Sequence, residues 1–517
     1  MTNLNRVVKN TGILYLRMAA TVLISLSSTR LTLSALGVTD FGLFNLVGGV
    51  ISMLAFLNSA MAAATQRFMS YAEGAGDIHR LKEIFNVSVF LHIIIAICVF
   101  LILEVIGFYL LDQVLEIPES RLNTAKIILQ FMIFSTVFTI TSVPYEAVII
   151  SHENMFLLAV LGIVESVGKL GIAFYLGYSN FDKLSTYGFL TALLSVSMLL
   201  LKRVFCHSKY LECKINFIKY FNKVTFKEMS LFASWSLLGS STSIFSSYGQ
   251  GIVLNIFFGP IVNAAQAVSN QVSGQLSVFS GTMLKALNPI IAKSEGAGNR
   301  AFMLKTTLVG TKFSFFLLIL FYIPAIIEMD YIFTFWLNQV PEYAVIFCRL
   351  LLLRNLIEQF YITITNSISA VGKIKVFQIS KTILNLFPLL FTIIFFKLGF
   401  QPYIMYVIFV FYAIADALVT LFFAKKHCKL SYKVFFQTTF LPCSLIAIVA
   451  YLIAYVPFYL LNGGWGRLFL VFFASTISII CNIWFFGLEI SEKENVINFF
   501  NNFQSKLKKY NFKISTK

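Results

Sequence analysis

Basic side chains occur in stretches of the chain that are otherwise almost wholly apolar. Five of them have no acidic residue one helical turn away: Arg17, Arg30, Lys312, Arg349 and Lys381. An ionisable group at the centre of a bilayer costs about 2.5–3.5 kcal/mol on insertion scales, so such groups face the protein interior or a water-filled cavity. The planar guanidinium of arginine binds two phosphate oxygens at once. We therefore predict that these residues bind an anionic group.

Acidic side chains are fewer at the same depth. Glu165 and Lys169 are four residues apart, as are Arg354 and Glu358, so each pair shares one helix face. Such pairs either neutralise themselves or serve a substrate or a coupling ion, and the sequence leaves both interpretations open. The acidic candidates for coupling transport to a proton or a sodium ion are Glu165, Glu358 and Asp416. Two other lysines lie near the ends of apolar stretches and are expected to snorkel toward the interface: Lys126 and Lys285.

The composition indicates that these residues are held in a membrane protein. Of the 517 residues, 58% are hydrophobic and 12% are charged, with a mean hydropathy of +0.82. A soluble domain carries about 25% charged residues, so a water-soluble enzyme, a disordered chain and a disulfide scaffold are excluded. The seven cysteines lie in apolar stretches or lysine-rich loops, and no disulfide is expected. A span needs about 20 mostly apolar residues, and the chain contains fourteen candidate spans.

Lysine and arginine in the loops predict the orientation. With both termini in the cytoplasm, 27 basic residues fall on the cytoplasmic side and four on the outer side. The net charge of +17 is then explained by basic loops facing anionic headgroups. These residues are spread over seven short segments, so we do not predict nucleic-acid binding.

An internal repeat organises the spans. The segment Glu73-Gly74-Ala75-Gly76-Asp77 recurs 222 residues later as Glu295-Gly296-Ala297-Gly298-Asn299. The same offset carries spans one to six onto spans seven to twelve. Because each unit has an even number of spans, both enter the membrane in the same direction. We predict an all-α polytopic membrane protein with two six-helix lobes and two extra C-terminal helices.

The repeat also sets the predicted limits of the parts. They are an N-lobe at 1–204, a basic cytoplasmic inter-lobe loop at 205–228, a C-lobe at 229–424, an extra span pair at 425–488 and a basic cytoplasmic tail at 489–517.

Other kinds of site are disfavoured by spacing. Cysteine and histidine at 206–207, 213 and 427–428 match no zinc pattern, so no metal site is expected. The Glu-Gly-Ala-Gly segments follow no strand and are not a dinucleotide fingerprint. The outer loops are short and hold few acids and no histidine, which disfavours an enzyme. We predict no catalytic residues and no cofactor.

Two segments resemble a known family. They are SALGVTDFGLFNLVGGVISMLAFLNSAMAAATQRFMSYAEGAGD (Ser34 to Asp77) and SVPYEAVIISHENM (Ser142 to Met155). Both resemble bacterial O-antigen and polysaccharide flippases of the Wzx type, within the multidrug/oligosaccharidyl-lipid/polysaccharide exporter superfamily. The resemblance covers most of residues 10–430.

The resemblance implies a MATE-like fold and movement of an undecaprenyl-pyrophosphate-linked oligosaccharide from the inner to the outer leaflet of the bacterial inner membrane. It implies an ion-gradient-coupled, cationic cavity, with membrane lipids and polysaccharide polymerase or assembly proteins as partners. The cationic role would fall on Arg17, Arg30, Arg349, Arg354 and Lys381, with Arg67 at the inner mouth. Two alternatives remain open. They are a cation-coupled drug or metabolite exporter of the same fold and a membrane glycan polymerase or ligase.

Overall fold

The computed structural model describes residues 3–52, 55–113, 119–337, 340–490, 492–494 and 497, with some side chains left undescribed, mainly within 3–57 and 240–264. Within these ranges the chain forms helices and no strand. The first six helices are α1 (Asn3–Ser52), α2 (Ala55–Ala75), α3 (Ile78–Gln113), α4 (Glu119–Ser151), α5 (Met155–Tyr178) and α6 (Lys183–Lys209).

A short helix links this N-lobe to the C-lobe. It is α7 (Phe217–Tyr220). The C-lobe contains α8 (Lys223–Phe258), α9 (Pro260–Gly296), α10 (Arg300–Trp336), α11 (Ala344–Val371), α12 (Lys375–Lys397) and α13 (Ile404–Phe423). The chain ends with α14 (Tyr432–Phe435), α15 (Leu441–Leu460) and α16 (Trp465–Asn482), joined by π-helical turns at Ala424–Cys428, Phe436–Phe440 and Ile483–Gly487.

Glycines at matching positions break the two lobes in the same way. Gly37, inside α1, has φ 77° and ψ 171°, and Gly259, 222 residues later, has φ 76° and ψ −174°. Gly76 and Gly298 also share a positive φ, of 71° and 72°. These backbone angles are strained for any residue with a Cβ atom. The break at Gly37 divides α1 at the point where the sequence predicts the end of the first span and the start of the second.

Nine helices among the described residues are long and apolar enough to cross a membrane. The helices α8, α9 and α11 are also of span length, with 36, 37 and 28 residues. The all-α, two-lobe fold class is confirmed, whereas the count of fourteen spans and the limits of the parts stay predictions.

The core of the C-lobe extends into the last two long helices. Phe316 of α10 packs in one cluster with Ile446 of α15 and Ile479 of α16. The opposite faces of this pair expose large apolar side chains, including Leu452 and Phe473. The pair therefore packs against α10 on one side and presents a lipid-compatible surface on the other.

Candidate functional site

The two lobes touch along α1 and α9. The Tyr15 hydroxyl donates a hydrogen bond to the Phe279 carbonyl, and Thr282 Oγ1 lies 3.5 Å from Met18 Sδ. Both contacts join the first helix of the N-lobe to the second helix of the C-lobe. A substrate that passed between the lobes would meet the residues along this seam.

A cluster of charges lies next to this seam. Lys202 Nζ is 2.8 Å from Glu146 Oε2 and 3.4 Å from Ser142 Oγ. Arg17 of α1 and Lys285 of α9 are close enough to interact electrostatically with the same carboxylate. We call Arg17, Glu146, Lys202 and Lys285 the seam cluster. Three cations thus share one anion, and they come from both lobes.

A glycine makes room for the arginine of the seam cluster. A Cβ atom built on Gly162 of α5 would lie 2.5 Å from Arg17 Cζ, which is well inside van der Waals contact. The guanidinium therefore packs directly on the backbone of α5. Any larger residue at 162 would push Arg17 out of its present position.

The seam cluster can hold an anionic group. Its net charge of +2 lies in a region where ions are poorly solvated, and the Glu146 side chain keeps 40% of its surface exposed. A phosphate entering between the lobes would pair with the two cations that lack an acid of their own. Ammonium and guanidinium groups bind phosphate through charge-assisted hydrogen bonds.

The predicted cavity residues of the C-lobe form a second, neutral cluster. Arg354 Nε is 2.7 Å from Glu358 Oε1 on α11, and Lys381 Nζ of α12 is 3.0 Å from Asp416 Oδ2 of α13. Glu358 and Asp416 also interact electrostatically. The second oxygen of Asp416, Oδ1, is buried and has no hydrogen-bond partner among the described residues. A buried, unpaired carboxylate oxygen is suited to binding a proton or a small cation.

Other predicted site residues lie elsewhere. Arg349 pairs with Asp330 at 2.7 Å and donates to the Ile326 carbonyl at 2.9 Å, at the end predicted to face outward. Lys312 pairs at 2.6 Å with Glu492, on the side of α10 away from the seam. The side chain of Arg30 is not among those described. The predicted residues are thus not gathered in one place.

Glu165 and Lys169 on α5 form an ion pair, with Lys169 Nζ 2.7 Å from Glu165 Oε1, and both side chains are about half exposed. This arrangement fits the self-neutralising interpretation of the pair.

Arg67 joins the lobes near the predicted cytoplasmic end. Its Nε and Nη2 atoms donate to the carbonyls of Ser369 and Ala370, at 3.0 and 2.8 Å. These carbonyls belong to the last turn of α11, where carbonyls lack the N–H partner four residues on. The Ser369 carbonyl also accepts a hydrogen bond from the Gly372 backbone N–H at 3.1 Å. Arg67 also lines a cavity of about 640 Å³ together with Lys373 and Lys375.

The repeated Glu-Gly-Ala-Gly segments, at the ends of α2 and α9, meet each other at this end. A Cβ atom on Gly74 would lie 2.7 Å from the Lys293 carbonyl carbon, and one on Gly296 would lie 2.7 Å from that of Tyr71. The offset of 222 exchanges these two contacts, because it converts position 71 into 293 and 74 into 296. Lys293 Nζ also lies 3.6 Å from carboxylate oxygens of Glu73 and of Glu153. We call the crossing of α2 and α9 at Gly74 and Gly296 the glycine crossing.

A histidine network stabilises the N-lobe beside the glycine crossing. His152 lies between Glu73 and Glu212, at 3.2 and 2.5 Å, and stacks on Tyr210 with ring centroids 4.2 Å apart. Burial acts to lower the pKa of His152, but the hydrogen bonds to Glu212 and Glu73 outweigh it and raise the pKa to about 9. His152 is therefore a cation at neutral pH and ties the inter-lobe segment to α2.

Sequence reasoning did not place Lys202, Lys285 and Glu146 in a candidate site. Lys202 falls at the predicted end of a span, but α6 continues to Lys209. Lys285 was expected to snorkel. Their meeting with Arg17 depends on how α1, α6 and α9 pack, and a linear pattern carries no signal for that. Among the described residues, no group of three histidine, cysteine or acidic side chains could hold a metal ion.

Similarity to known proteins agrees with this architecture. The MatE family model matches residues 14–167, within the N-lobe. The proteins of that family are transporters rather than enzymes, which agrees with the prediction that the chain is not an enzyme. No curated protein sequence matches the chain.

Solved structures show the same fold at low sequence identity. An outward-facing multidrug resistance MATE family transporter of the MOP superfamily has a TM-score of 0.69 and 13% identity, with 82% of this chain and 95% of that chain covered. A MATE structure in the bent conformation has a TM-score of 0.71 and 12% identity, with 82% of this chain and 95% of that chain covered. A MOP superfamily transporter from Pyrococcus furiosus, described as having a binding pocket of reverse polarity, has a TM-score of 0.68 and 13% identity. The match covers 82% of this chain and 95% of that chain. The chain is thus a multi-pass membrane protein of MATE-like fold.

Proposed function

We propose that this protein is an alternating-access flippase for an undecaprenyl-pyrophosphate-linked oligosaccharide, the repeat unit of an O-antigen or another surface polysaccharide. The seam cluster carries the proposal, because Arg17, Lys202 and Lys285 surround the one carboxylate of Glu146 between the lobes. A pyrophosphate linker would supply the negative charge that this place lacks.

The energetics favour an anionic cargo. An uncompensated charge costs about 2.5–3.5 kcal/mol at the centre of the bilayer and less toward its faces. The seam cluster lies toward the ends of its helices and holds two more cations than anions. A bound pyrophosphate would remove much of this cost, while a cationic cargo would increase it. The resemblance of Ser34 to Asp77 to polysaccharide flippases supports the same cargo.

The proposal includes the membrane setting predicted from the loops. The protein would lie in the bacterial inner membrane with both termini in the cytoplasm, and polysaccharide polymerase or assembly proteins would receive the flipped lipid. The lobes would be residues 1–204 and 229–424, joined by the basic segment 205–228. The glycine crossing would close the cytoplasmic side, and its separation would admit cargo from the inner leaflet.

A cation-coupled exporter of drugs or metabolites is the second candidate function. The solved structures of the same fold include a multidrug resistance transporter, and these similarities support the exporter class at least as well as the flippase. Within the molecule, the observation that favours it is the buried carboxylate of Asp416, with an unpaired oxygen and Glu358 nearby. Its coupling ion would be a proton or a sodium ion.

Charge changes in the seam cluster separate the two functions. The chromosomal gene is deleted, and variants are tested for surface polysaccharide, for sugar-lipid on the inner leaflet and for drug susceptibility. We expect Arg17→Gln and Lys285→Gln to lower surface polysaccharide about tenfold or more, because they remove cations from the headgroup site. Glu146→Gln should leave most of it, because this change makes the site more positive.

Two further variants control for position and packing. Gly162→Ala should reproduce the Arg17→Gln defect, since the added methyl group displaces the guanidinium. Lys169→Gln on the same helix α5 is the matched control and should match the wild type. Loss of drug resistance in Glu146→Gln or Asp416→Asn, with normal surface polysaccharide in Arg17→Gln, would establish the exporter and refute the flippase.

A further inference from the structure

A separate cavity lies beside α10 of the C-lobe, near the predicted cytoplasmic end of that helix. It has a volume of about 410 Å³ and lies between α10, the segment around α14 and the C-terminal segment. Its charged lining consists of three lysines and two glutamates, which are Lys305, Lys312, Lys429, Glu489 and Glu492. Its uncharged polar lining is Ser431, Thr438 and Thr439. None of these residues belongs to the seam cluster or to the glycine crossing, so the cavity is distinct from the proposed cargo path.

The floor of this cavity is a buried ion pair. Lys312 Nζ lies 2.6 Å from Glu492 Oε2, and the two side chains are 3% and 5% exposed. Lys312 is 12 residues into α10, which places it about 18 Å along the helix from Arg300. The Glu492 carboxylate also accepts a hydrogen bond from the Glu489 backbone at 2.8 Å. The C-terminal segment thus supplies the anion that a deep lysine needs.

The rim of the cavity carries two more cations. Lys305 on α10 and Lys429 are both exposed, and neither makes an ion pair with a described residue. Lys429 has a φ of 63°, a left-handed conformation that a residue with a long side chain rarely adopts. The turn at 429 therefore orients this lysine at some conformational cost.

The wall between rim and floor is apolar. It is formed by Leu304, Leu308 and Val309 on α10 and by Val434 on the other side. A cavity with a cationic rim and an apolar wall matches an amphiphile with an anionic headgroup and a hydrocarbon tail. Basic pockets at the cytoplasmic ends of membrane helices bind anionic lipid headgroups.

We propose that this cavity binds the phosphate of an anionic bilayer phospholipid from the inner leaflet. Lys305 and Lys429 hold the headgroup phosphate, and the start of an acyl chain lies along Leu304 and Leu308. Glu492 is the tethered counter-ion of Lys312 and competes with the lipid phosphate for it. The contact between the C-terminal segment and Lys312 therefore depends on how much anionic lipid the surrounding membrane contains. This proposal stands independently of the transported cargo.

The test uses the purified full-length protein in mild detergent. Phosphatidylglycerol and the zwitterionic phosphatidylcholine are titrated separately, with retention followed by native mass spectrometry and stability by the thermal midpoint. We expect the wild type to bind phosphatidylglycerol at least tenfold more tightly than phosphatidylcholine. The Lys305→Gln/Lys429→Gln double variant should lose about 10- to 30-fold in affinity for phosphatidylglycerol.

A matched variant and a tail variant complete the design. Lys426→Gln/Lys433→Gln removes two exposed lysines of the same loop region that do not line the cavity, and it should bind like the wild type. Glu492→Gln should tighten phosphatidylglycerol binding several-fold, because Lys312 loses its competing carboxylate. Equal losses in both double variants, or no preference for phosphatidylglycerol in the wild type, would overturn the proposal. If inorganic phosphate displaced phosphatidylglycerol at equal concentration, the site would bind free phosphate and the proposal of a lipid ligand would be wrong.

Discussion

The glycine crossing makes the sharpest prediction about how the lobes move. Gly74→Ala or Gly296→Ala places a methyl carbon 2.7 Å from a carbonyl carbon of the facing helix. Carbon atoms in contact lie about 3.5–4.0 Å apart. The oxygen of the same carbonyl lies nearer still, so the two helices must separate by more than about 1 Å to accept either methyl group. Neither carbonyl can rotate away, because each belongs to a continuous helix.

The energetic consequence follows from the cost of overpacking. An extra methylene in a well-packed contact costs about 1–3 kcal/mol. In the proposed alternating-access cycle the strain exists only while the crossing is closed, so it acts on the equilibrium between the two proposed states. A difference of this size changes the population ratio by about 5- to 150-fold. Each alanine variant should therefore favour the state that is open at the predicted cytoplasmic end.

The assay measures a distance across the glycine crossing. Spin labels are attached to cysteines at Ala75 and Ala297, which are both exposed and related by the repeat. The exposed native cysteines Cys98 and Cys481 are replaced first. Pulsed electron spin resonance should show a longer distance population in the glycine variants than in the wild type. Gly281→Ala is the control, because a Cβ atom there meets nothing within 4 Å.

A clear result would refute the reasoning. If Gly74→Ala and Gly296→Ala give the same distance distribution as the wild type and as Gly281→Ala, the helices are not in close contact there. The glycine crossing would then not close the lobes. The same outcome would leave the cargo assignment untouched, because that rests on the seam cluster.

Three further predictions concern ion pairs outside the glycine crossing. The pKa of His152 is raised from 6.5 to about 9. The charged His152 therefore stabilises the folded protein fully below pH 6.5, and this stabilisation is lost as the pH rises through 9. The difference in thermal midpoint between the wild type and His152→Gln should shrink over that range. Arg467→Met leaves the fully buried Glu328 carboxylate without its partner and should cost about 3–5 kcal/mol of stability, with recovery on adding Glu328→Gln, as measured by thermal unfolding in detergent. Lys381→Met should destabilise the protein for the same reason, and adding Asp416→Asn should restore stability.

Much of the fold could be predicted from the sequence because its signals are local or periodic. Apolar stretches of span length and the repeat offset of 222 residues indicated two lobes of six helices. The glycines at 37 and 259 and at 76 and 298 adopt matched backbone angles, so the repeat is visible in the geometry of single residues. Span ends were less predictable, because helices such as α6 continue through a basic stretch to Lys209.

The candidate site could be predicted only in part. Arg17 was recognised because an isolated arginine in an apolar stretch is costly. The partners of Lys312 and Lys381 could not be found from spacing, since Glu492 lies 180 residues away and Asp416 lies on another helix. The close contact of the glycines at 74 and 296 with the opposite backbone has no sequence signature beyond the repeat itself.

The contact of Arg67 with the end of α11 has a consequence for how this protein can diversify. The guanidinium binds main-chain oxygens of Ser369 and Ala370, which every amino acid provides. Substitutions at these two positions can therefore accumulate without releasing the arginine, and no compensating change is required at position 67. Methods that infer proximity from correlated substitutions would consequently overlook this link between the halves, although it is among the most direct that the molecule makes.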